Sequence, residues 1–447
     1  MRNNWQQASL GAISVDVSYG YTESASEKRV GPHFLRITDI QNGVVDWRSV
    51  PFCPITEKNH KKHKLYPGDI VVARTGNSTG ENYLFKGGQD AVYASYLIRF
   101  KVSPEIANPR FVWYSMRSPS WWGFVNSSKT GSAQAGANAK VLGGFPLLLP
   151  PLSEQCAIAH VLGTLDDKIE LNRKMNETLE AMAQAIFKSW FVDFDPVIDN
   201  ALAAGNPIPD ALQDRAAARE ALGDERKPLP EDIRKLFPSE FELTDEMGWV
   251  PKGWGVGSIN NEFNLTMGQS PPGSTYNKEG IGVIFFQGRT DFGFRYPLER
   301  VFCTQPKRIA KKNDTLVSVR APVGDINLVK KDCCIGRGIA AIRHKSGSRS
   351  YTYYSMRELK KYFDNFDDTG TVFGSINQKD FKSIPWLKKP SKLIVKFEEL
   401  VSSLDQKIEA NTSDTETLVG LRDTLLPILL SGEIRIPDAE KLSESAA

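Results

Sequence analysis

Residues 165–172 of the chain read LDDKIELN, and residues 404–411 read LDQKIEAN, 239 positions further on. The motif WYSMR at 113–117 returns as YYSMR at 353–357, at nearly the same offset. Long segments that match at one offset indicate a tandem duplication. Because there are only two copies and the period is long, the duplication favours a pseudo-two-fold pair of lobes over a solenoid.

Each copy ends in a long segment with heptad spacing. The a positions are Ile158, Leu165, Asn172, Leu179 and Ile186 in the first copy and Phe397, Leu404, Asn411, Leu418 and Leu425 in the second. The d positions are Val161, Lys168, Met175, Met182 and Ser189, then Leu400, Lys407, Asp414, Leu421 and Ile428. A helix of roughly 38 residues is about 57 Å long at about 1.5 Å per residue. Since such an apolar stripe needs a partner of similar length, we expect the two helices to form an antiparallel coiled coil.

Asn172 and Asn411 occupy equivalent a positions near the middle of the two helices. A buried polar residue at such a position costs stability but fixes the register of a coiled coil. The two asparagines either lie close together near the pseudo-dyad or reach water at its edge, and the sequence leaves both alternatives open. Pro427 predicts that the second helix ends or kinks at Leu426.

The fold class that follows is α+β, with two mixed α/β lobes in pseudo-two-fold tandem repeat, separated by the two long helices. Short apolar segments bounded by Gly, Pro and Asn predict the strands of each lobe, and Asn108-Pro109 predicts a helix start. The predicted divisions are a first lobe at 1–150, a long helix at 151–195, a proline-rich acidic connector at 196–250, a second lobe at 251–390, a second long helix at 391–432 and a tail at 433–447. The connector is expected to be semi-ordered, with one helical piece at 209–222.

The net charge of +3 conceals an alternation along the chain. Residues 1–150 carry +7 and residues 251–390 carry +11, whereas 151–195, 196–250 and 391–447 carry −4, −6 and −5. Two basic lobes alternating with acidic segments indicate two polyanion-binding surfaces. A role for the lysines in solubility alone stays open, because the sequence does not show whether they share one face.

The remaining composition excludes several classes of protein. The 447 residues are 40% hydrophobic and 24% charged, as in ordinary globular proteins. No apolar run approaches the ~20 residues of a membrane span, and the polar start MRNNWQQ lacks a signal-peptide pattern, so we expect a cytoplasmic protein. The five cysteines contain no C-x-x-C pair, and no P-loop, H-E-x-x-H, G-x-S-x-G or dinucleotide fingerprint occurs. We therefore expect no catalytic residue, no metal site and no cofactor bound by this chain.

Six loops combine small residues with donors suited to DNA. Small residues let the backbone approach closely, and Arg, Lys, Gln and Asn donate to phosphates or base edges. The loops are 57–64, 74–80 and 129–140 in the first lobe and 287–290, 320–324 and 369–379 in the second. The candidate DNA-binding residues are Lys61, Lys62, Lys64, Arg74, Thr75, Asn77, Lys129, Thr130, Ser132, Gln134, Gln287, Arg289, Thr290, Arg320, Thr369, Thr371, Ser375, Asn377 and Lys379. For any one of them, an ordinary solvated turn is the alternative.

The helical segments resemble a known family. The run PPLSEQCAIAHVLGTLDDKIELNRKMNETLE resembles the central conserved region of the DNA specificity subunit of type I restriction-modification enzymes, and KFEELVSSLDQKIEANTSDTETL resembles its C-terminal conserved region. TGSAQAGANAKVLGGFPLLLPPLSEQ is similar to the usual close of a target recognition domain. The second copy departs from the pattern, because KKPSKLIVKFEEL lacks the glutamate-glutamine pair of LSEQ; contacts attributed to that pair therefore cannot be carried over to the C-terminal helix.

The resemblance implies a non-catalytic subunit that reads a bipartite, asymmetric DNA sequence with two target recognition domains held apart by the helices. Two modification subunits, which methylate adenine with S-adenosylmethionine, would dock on the helical regions. Restriction subunits would supply ATP-driven translocation and cleavage, so S-adenosylmethionine, ATP and Mg are expected in the partner subunits. A coiled-coil adaptor without DNA specificity is the alternative, but it leaves the two basic lobes without a role. A self-sufficient methyltransferase would need a catalytic N-P-P-[FY] motif, which the sequence lacks.

Overall fold

The computed structural model describes residues 5–128, 136–225, 227–360, 362–363 and 374–433. The chain divides into two compact units. Unit 1 consists of residues 1–174 and 411–447, and unit 2 of residues 175–410. Each of the two longest helices contributes one half to each unit.

The elements of the first part of the chain are β1 (Gln6–Ser9), β2 (Ser14–Tyr19), β3 (His33–Leu35), α1 (Glu57–His63), β4 (Asp69–Ala73), β5 (Asn82–Leu84), β6 (Ala91–Tyr93), β7 (Leu97–Val102), α2 (Pro109–Ser115), α3 (Pro119–Ser128), α4 (Ala139–Gly143), β8 (Pro146–Leu149) and α5 (Leu152–Phe191). The remaining helices are α6 (Asp195–Ala204), α7 (Gln213–Ala221), α8 (Glu231–Arg234), α9 (Ile259–Glu262), α10 (Arg349–Glu358), α11 (Gln378–Ser383) and α12 (Ser391–Ser431). The remaining strands are β9 (Phe241–Thr244), β10 (Gly248–Pro251), β11 (Val256–Ser258), β12 (Phe263–Met267), β13 (Tyr276–Asn277), β14 (Val283–Phe286), β15 (Phe302–Cys303), β16 (Ile309–Ala310), β17 (Thr315–Ser318), β18 (Ile326–Leu328), β19 (Cys333–Ile335), β20 (Ile339–His344) and β21 (Pro385–Leu387).

Unit 1 is built on a four-stranded antiparallel sheet with the order β2-β7-β4-β5. Side chains of β4 alternate between two hydrophobic cores. Ile70 and Val72 pack with the helices, and Val71 and Ala73 pack on the other face with residues such as Tyr93. Because both faces are buried, the strand reads as a continuous apolar run. Two further pairs complete the unit, β3 with β6 in parallel and β1 with β8 antiparallel.

Unit 2 has the same plan. Its four-stranded antiparallel sheet has the order β12-β20-β17-β18, and neighbouring residues of β17 again divide between two cores, Val317 in one and Leu316 in the other. The parallel pair is β14 with β19, and the closing antiparallel pair is β11 with β21. The strands that correspond in the two units therefore pair in the same way, whereas in unit 2 the β14–β19 pair lies within a five-stranded sheet of order β13-β15-β14-β19-β16. Each unit is thus a mixed helix-and-sheet body.

The two long helices pack against each other within each unit. In unit 1, Ile158 and Leu165 of α5 share a core with Leu418 and Leu425 of α12. In unit 2, the Phe187 ring of α5 lies 5.6 Å from the Phe397 ring of α12.

Further along the same halves in unit 2, Glu180 of α5 and Asp405 of α12 bind one arginine, Arg295. The residue number thus falls along α5 as it rises along α12, so the two halves in unit 2 run antiparallel.

The predicted a positions lie on the buried face, but of the predicted d positions only Val161 is buried. Met182 and Leu400, both at d, are exposed, whereas Leu162, Ala183 and Val401, all at e, are buried. Alternating steps of four and three residues also connect a with e, so a seven-residue repeat is compatible with either stripe. Which of the two is buried depends on the lobes that the helices cover, and the repeat does not contain that information.

Asn172 and Asn411 are buried, with 4% and 1% of their surface exposed. The alternative in which both reach water is therefore excluded. The second helix matches its predicted bounds of 391–432 but does not end at Leu426, because α12 continues through Pro427 to Ser431 and ends before Gly432, whose φ is +71°.

The prediction of a semi-ordered connector at 196–250 was wrong. The expected helical piece is present as α7, but α6, α8 and the β9–β10 hairpin are present as well. Val197, Phe237 and Val250 are buried in the core of unit 2. Six prolines and a negative charge are typical of linkers, but these apolar residues find a partner surface on Trp190 and its neighbours, which composition does not reveal.

Candidate nucleic-acid interface

In unit 1, two of the predicted loops lie side by side. The first follows β4 and begins at Arg74. The second is the predicted loop at 129–140. The Arg74 carbonyl accepts a hydrogen bond of 3.0 Å from the Ala137 amide of that loop, and Thr75 forms a β-bridge with Gly136. The Arg74 amide donates in turn to the Tyr96 carbonyl at 3.1 Å, so the β6–β7 turn joins the same cluster.

Unit 2 repeats this backbone pattern. The Ile376 amide donates to the Val319 carbonyl at 3.1 Å, Arg320 forms a β-bridge with Ser375, and the Val319 amide donates to the Gly338 carbonyl at 2.9 Å. The loops around Arg320 and Ser375 are therefore adjacent, as the corresponding loops are in unit 1.

The hydrogen-bond register also shows that Arg74 and Arg320 do not occupy corresponding positions. Val319 occupies the place of Arg74, and Arg320 occupies the place of Thr75. Successive residues of an extended chain point to opposite faces, so Arg74 and Arg320 are not equivalent side chains.

Arg74 is held in one orientation by its neighbours. Its Nε donates to the Ser95 carbonyl at 3.1 Å, and its guanidinium lies 5.1 Å from the ring centre of Tyr19 and 5.9 Å from that of Tyr96. Both tyrosines are more than two-fifths exposed. Stacked between two aromatic rings, the guanidinium is pre-organised, and its planar fork of donors suits a phosphate or a guanine edge.

Tyr19 and Tyr96 are functional candidates that the sequence analysis missed. The Tyr19 hydroxyl accepts a hydrogen bond of 3.1 Å from the Ala139 amide, which links β2 to the start of α4. Tyr96 stands immediately before the alternating strand β7, and an exposed aromatic residue at that position was the available signal.

In unit 2, Gln287 lies close to the glycines of the β19–β20 turn. The Gly338 amide donates to the Gln287 carbonyl at 3.3 Å, and a Cβ atom at Gly336 would come within 2.9 Å of the Gln287 Cα. Arg337 stands between these glycines and is exposed. The turn therefore joins Gln287 to the Arg320 loop through Val319, and Arg337 becomes a candidate that the sequence analysis missed.

Several predicted cations already have partners. Lys61 pairs with Glu57 at 2.6 Å and Lys64 with Asp90 at 3.1 Å, while Lys62 is exposed. Arg289 pairs with Asp325. Exposed ion pairs of this kind contribute little to stability, so these lysines and Arg289 can leave their carboxylate partners to bind a phosphate.

Asn377 acts as a helix cap. Its Oδ1 accepts a hydrogen bond of 3.0 Å from the Asp380 amide at the start of α11, and Asn138 caps α4 in the same way. The side-chain oxygen is thus engaged in local structure, which weakens the prediction that Asn377 reads DNA. Asn77, Thr290 and Ser375 are exposed outside the α-helices and strands, and Lys379 is exposed on α11. Lys129, Thr130, Ser132, Gln134, Thr369 and Thr371 lie outside the described residues.

The described residues contain no group of three or more His, Cys, Asp and Glu placed to hold a metal ion. No helix in the described ranges is long and apolar enough to span a membrane. Four of the five cysteines are buried, and burial raises the pKa of the Cys53 thiol to about 11. A thiol with so high a pKa is a poor nucleophile at neutral pH.

Comparisons with known proteins give one family. Residues 5–181 match the family model described as the type I restriction modification DNA specificity domain. The chain is 25% identical over 442 residues to a protein named putative type I restriction enzyme MjaX specificity subunit from Methanocaldococcus jannaschii, covering 97% of this chain and 94% of that protein. It is 26% identical to the type I restriction enzyme HindI specificity subunit of Haemophilus influenzae, covering 97% of this chain and all of that protein.

The fold comparison agrees. The crystal structure of a type I restriction-modification system S subunit from M. genitalium superposes with a TM-score of 0.54 at 16% identity, covering 96% of both chains. The match extends over nearly the whole length of each relative, so it includes both units and both long helices. The chain is therefore similar over nearly its whole length to proteins named specificity subunits of type I restriction enzymes, and its residues 5–181 match the DNA specificity domain of that family.

Proposed function

We propose that the chain reads a bipartite, asymmetric DNA sequence, with one half-site bound by each lobe, 1–150 and 251–390. The observation that carries the proposal is the backbone pattern around Arg74 and Arg320. The same three loops are joined by the same hydrogen bonds in both units, and the side chains on them differ. A common scaffold with different side chains suits two half-sites of different sequence.

Unit 1 would use Arg74 and its flanking tyrosines, and unit 2 would use Gln287, Arg320 and Arg337. An arginine presents two parallel donors to the O6 and N7 atoms of guanine, and a glutamine presents a donor and an acceptor to adenine. The exposed lysines of α1 and Lys379 of α11 would contact phosphates, which set position without reading sequence.

The two long helices would set the distance between the half-sites. Helices of 40 and 41 residues are about 60 Å long at about 1.5 Å per residue. If both lobes contact one side of the duplex, the half-sites are centred about one helical turn, or roughly 34 to 36 Å, apart. In this proposal the two lobes are target recognition domains in tandem repeat, and the helices form an antiparallel coiled coil.

The partners of this function are double-stranded DNA and other subunits of the enzyme. We propose two modification subunits docked on the helical regions and a restriction subunit that joins them, acting in the cytoplasm. The acidic balance of the helical regions favours a protein-facing role over contact with phosphates. S-adenosylmethionine, ATP and Mg would be bound by those partners and not by this chain.

The proposal is tested with the two arginine variants in the assembled methyltransferase. Arg74→Ala is expected to weaken binding to duplexes that carry the half-site of unit 1, and Arg320→Ala to duplexes that carry the half-site of unit 2. Each bidentate base contact contributes about 1 to 3 kcal/mol of discrimination, or roughly 5- to 150-fold in affinity.

The control is a duplex with both half-sites scrambled, at a fixed salt concentration, because phosphate contacts depend strongly on salt. If either variant weakens binding to the scrambled duplex as much as to the target, the arginine is a phosphate contact and the assignment of its half-site fails.

A further inference from the structure

In unit 1, Arg36 occupies the place that Gln287 occupies in unit 2. Each residue directly follows one strand of a parallel pair, β3 in unit 1 and β14 in unit 2. The carbonyl of Leu35, the last residue of β3, accepts a hydrogen bond of 2.9 Å from the β6–β7 turn. The carbonyl of Phe286, the last residue of β14, likewise accepts one of 2.8 Å from the β19–β20 turn. The side chains of Arg36 and Gln287 therefore start from corresponding positions, although Arg36 lies outside the six loops predicted from the sequence.

Arg36 also lies near the loop that begins at Arg74. The β6–β7 turn stands between the two arginines, since it donates to the carbonyl before Arg36 and its Ser95 carbonyl accepts the hydrogen bond of Arg74 Nε. On the segment that follows Arg36, the Gln41 Nε2 lies 3.5 Å from the Ser78 Oγ of the Arg74 loop. Neighbouring hydrogen-bonded segments lie about 4.8 Å apart, so the backbones of the two arginines are about 10 Å apart. That distance spans about three base pairs of DNA at about 3.4 Å each.

Asp39 holds the Arg36 guanidinium in one orientation. Arg36 Nε donates to Asp39 Oδ2 at 3.0 Å, and Nη2 donates to Oδ1 at 2.9 Å. The Arg36 amide donates to the same Oδ2 at 2.8 Å, so the backbone fixes the carboxylate as well. The Asp39 side chain is 7% exposed, whereas that of Arg36 is 38% exposed. A pair with two parallel hydrogen bonds sets the plane of the guanidinium, while the arginine keeps its access to solvent.

The guanidinium edge that faces away from Asp39 remains free. Of the five N–H donors of Arg36, Asp39 engages the one on Nε and one of the two on Nη2. The other three donate to no other residue in the part of the chain that the structure describes. Nη1 and Nη2 together present two parallel donors, which is the pattern that matches O6 and N7 of guanine. The hydrogen bonds with Asp39 also raise the pKa of Arg36, so these donors belong to a permanent cation.

We propose that Arg36, held in place by Asp39, reads a guanine of the half-site bound by unit 1, within about three base pairs of the base pair that Arg74 contacts. The inference rests on the proposed function, because it takes unit 1 as a lobe that binds DNA. Gln287, at the corresponding position of unit 2, presents a donor and an acceptor that suit adenine. One position of the shared scaffold would thus read different bases in the two half-sites.

The test removes one acceptor atom from the DNA at a time. Duplexes carry the target of the assembled methyltransferase, as mapped from its methylation sites, and each guanine of the unit 1 half-site, on either strand, is replaced in turn by 7-deazaguanine. This base still pairs with cytosine but lacks the N7 acceptor. With the wild-type enzyme, one replacement assigned to Arg36 is expected to weaken binding several-fold, and in Arg36→Ala the same replacement is expected to have no further effect. A guanine read by Arg74 keeps its sensitivity in Arg36→Ala.

Two further variants distinguish base reading from a phosphate contact and from a structural role. Arg36→Lys keeps the charge but lacks the planar fork, so it is expected to lose the discrimination against a substituted base, roughly 5- to 150-fold, as fully as Arg36→Ala does. Asp39→Ala leaves the arginine in place without its support. It is expected to reduce the same discrimination while binding a scrambled duplex at least as tightly as the wild type, because one negative charge is lost.

The matched control is Arg48→Ala. Arg48 forms a similar pair with Asp46 in the same unit, at 2.9 and 3.1 Å. The charge of Arg173 acts on Asp46, so this pair lies toward α5 and is expected to leave the response to every 7-deazaguanine unchanged. If Arg36→Ala does not fold, Arg36→Lys replaces it in the duplex series.

Three results overturn the inference. The first is a unit 1 half-site without guanine on either strand, and the second is a set of 7-deazaguanine effects that all persist in the Arg36 variants. The third is wild-type discrimination in Arg36→Lys, which would show a phosphate contact. If Arg74→Ala weakens binding to the unit 1 half-site while one of these results is found, the proposed function stands and only the role of Arg36 fails. If the wild-type enzyme binds target and scrambled duplexes equally, both fail.

Discussion

Arg295 is a fully buried charge of unit 2, and replacing it by methionine tests how the lobe is attached to the long helices. Its guanidinium has no exposed surface, pairs with Glu180 of α5 and, at 2.6 Å, with Asp405 of α12, and stacks 4.6 Å from the Tyr353 ring. Burial alone would lower the pKa of Arg295, but the charges of Asp405 and its other neighbours raise it. The pair is therefore well formed in the folded state.

The magnitude follows from what Arg295→Met leaves behind. Removing one partner of a buried ion pair costs about 3 to 5 kcal/mol, because the other charge stays buried without compensation. Here Glu180 keeps Arg357, and Asp405 keeps the Ser350 hydroxyl, so the lower end of the range applies. A loss of about 3 kcal/mol corresponds to a fall in melting temperature of roughly 6 to 12 °C for a unit of this size.

The assay is calorimetric unfolding of the full chain, in which the transition of unit 2 is expected to move and that of unit 1 to stay. The matched control is Arg289→Met, which breaks the exposed pair with Asp325 and is expected to cost at most about 1 kcal/mol. The reasoning is refuted if Arg295→Met shifts the melting temperature no more than Arg289→Met does. A double-mutant cycle with Asp405→Ala that gives no coupling energy would contradict it as well.

Two further predictions concern stability and one concerns the interface. Burial lowers the pKa of Lys389 to about 7 from 10.5, so between pH 7 and pH 10.5 the unfolded chain binds more protons than the folded chain. The free energy of unfolding of the wild type is therefore expected to rise from pH 7 to pH 9 relative to that of Lys389→Met. Parallel pH profiles of the two proteins would contradict this prediction. The Nδ2 of Asn172 is buried without a partner, so Asn172→Leu is expected to stabilise the chain by about 1 kcal/mol in urea unfolding, and a loss of stability would show that the amide is satisfied. Tyr96→Ala removes one ring from the Arg74 stack and is expected to weaken binding to the half-site of unit 1 by several-fold, with Tyr66→Ala, another exposed tyrosine of the same unit, as the control that leaves binding unchanged.

Much of the architecture follows from the sequence because it depends on periodicity and repetition. The offset between Leu165 and Leu404 predicted two similar bodies, and the a positions from Ile158 to Leu425 fall on the buried face. The exposed d positions at Met182 and Leu400 were not predictable, since the choice between an a/d and an a/e stripe is made by what each lobe covers. A heptad constrains spacing and leaves the neighbouring surface undetermined.

The candidate interface was only partly predictable, because the predicted loop at 57–64 forms the helix α1 and the positions of side chains depend on tertiary contacts. The sequence identified the Arg74 and Arg320 loops, but only the hydrogen-bond register shows that Val319, and not Arg320, stands in the place of Arg74. The helix cap at Asn377 was not predicted, because a helix cap and a base-reading amide use the same donor and acceptor atoms. Arg337 was missed because its exposure depends on the approach of its flanking glycines to Gln287, which is a tertiary contact.

The central claim, that the long helices set the distance between two half-sites, is tested most directly by lengthening both. One heptad is inserted after Lys174 and one after Ala410, and the modified adenines are mapped in a host that expresses the chain with its modification partner. Seven residues add about 10 Å of helix, so the account predicts unchanged half-sequences and a gap longer by about three base pairs. Methylation at the original gap by the lengthened chain would contradict it.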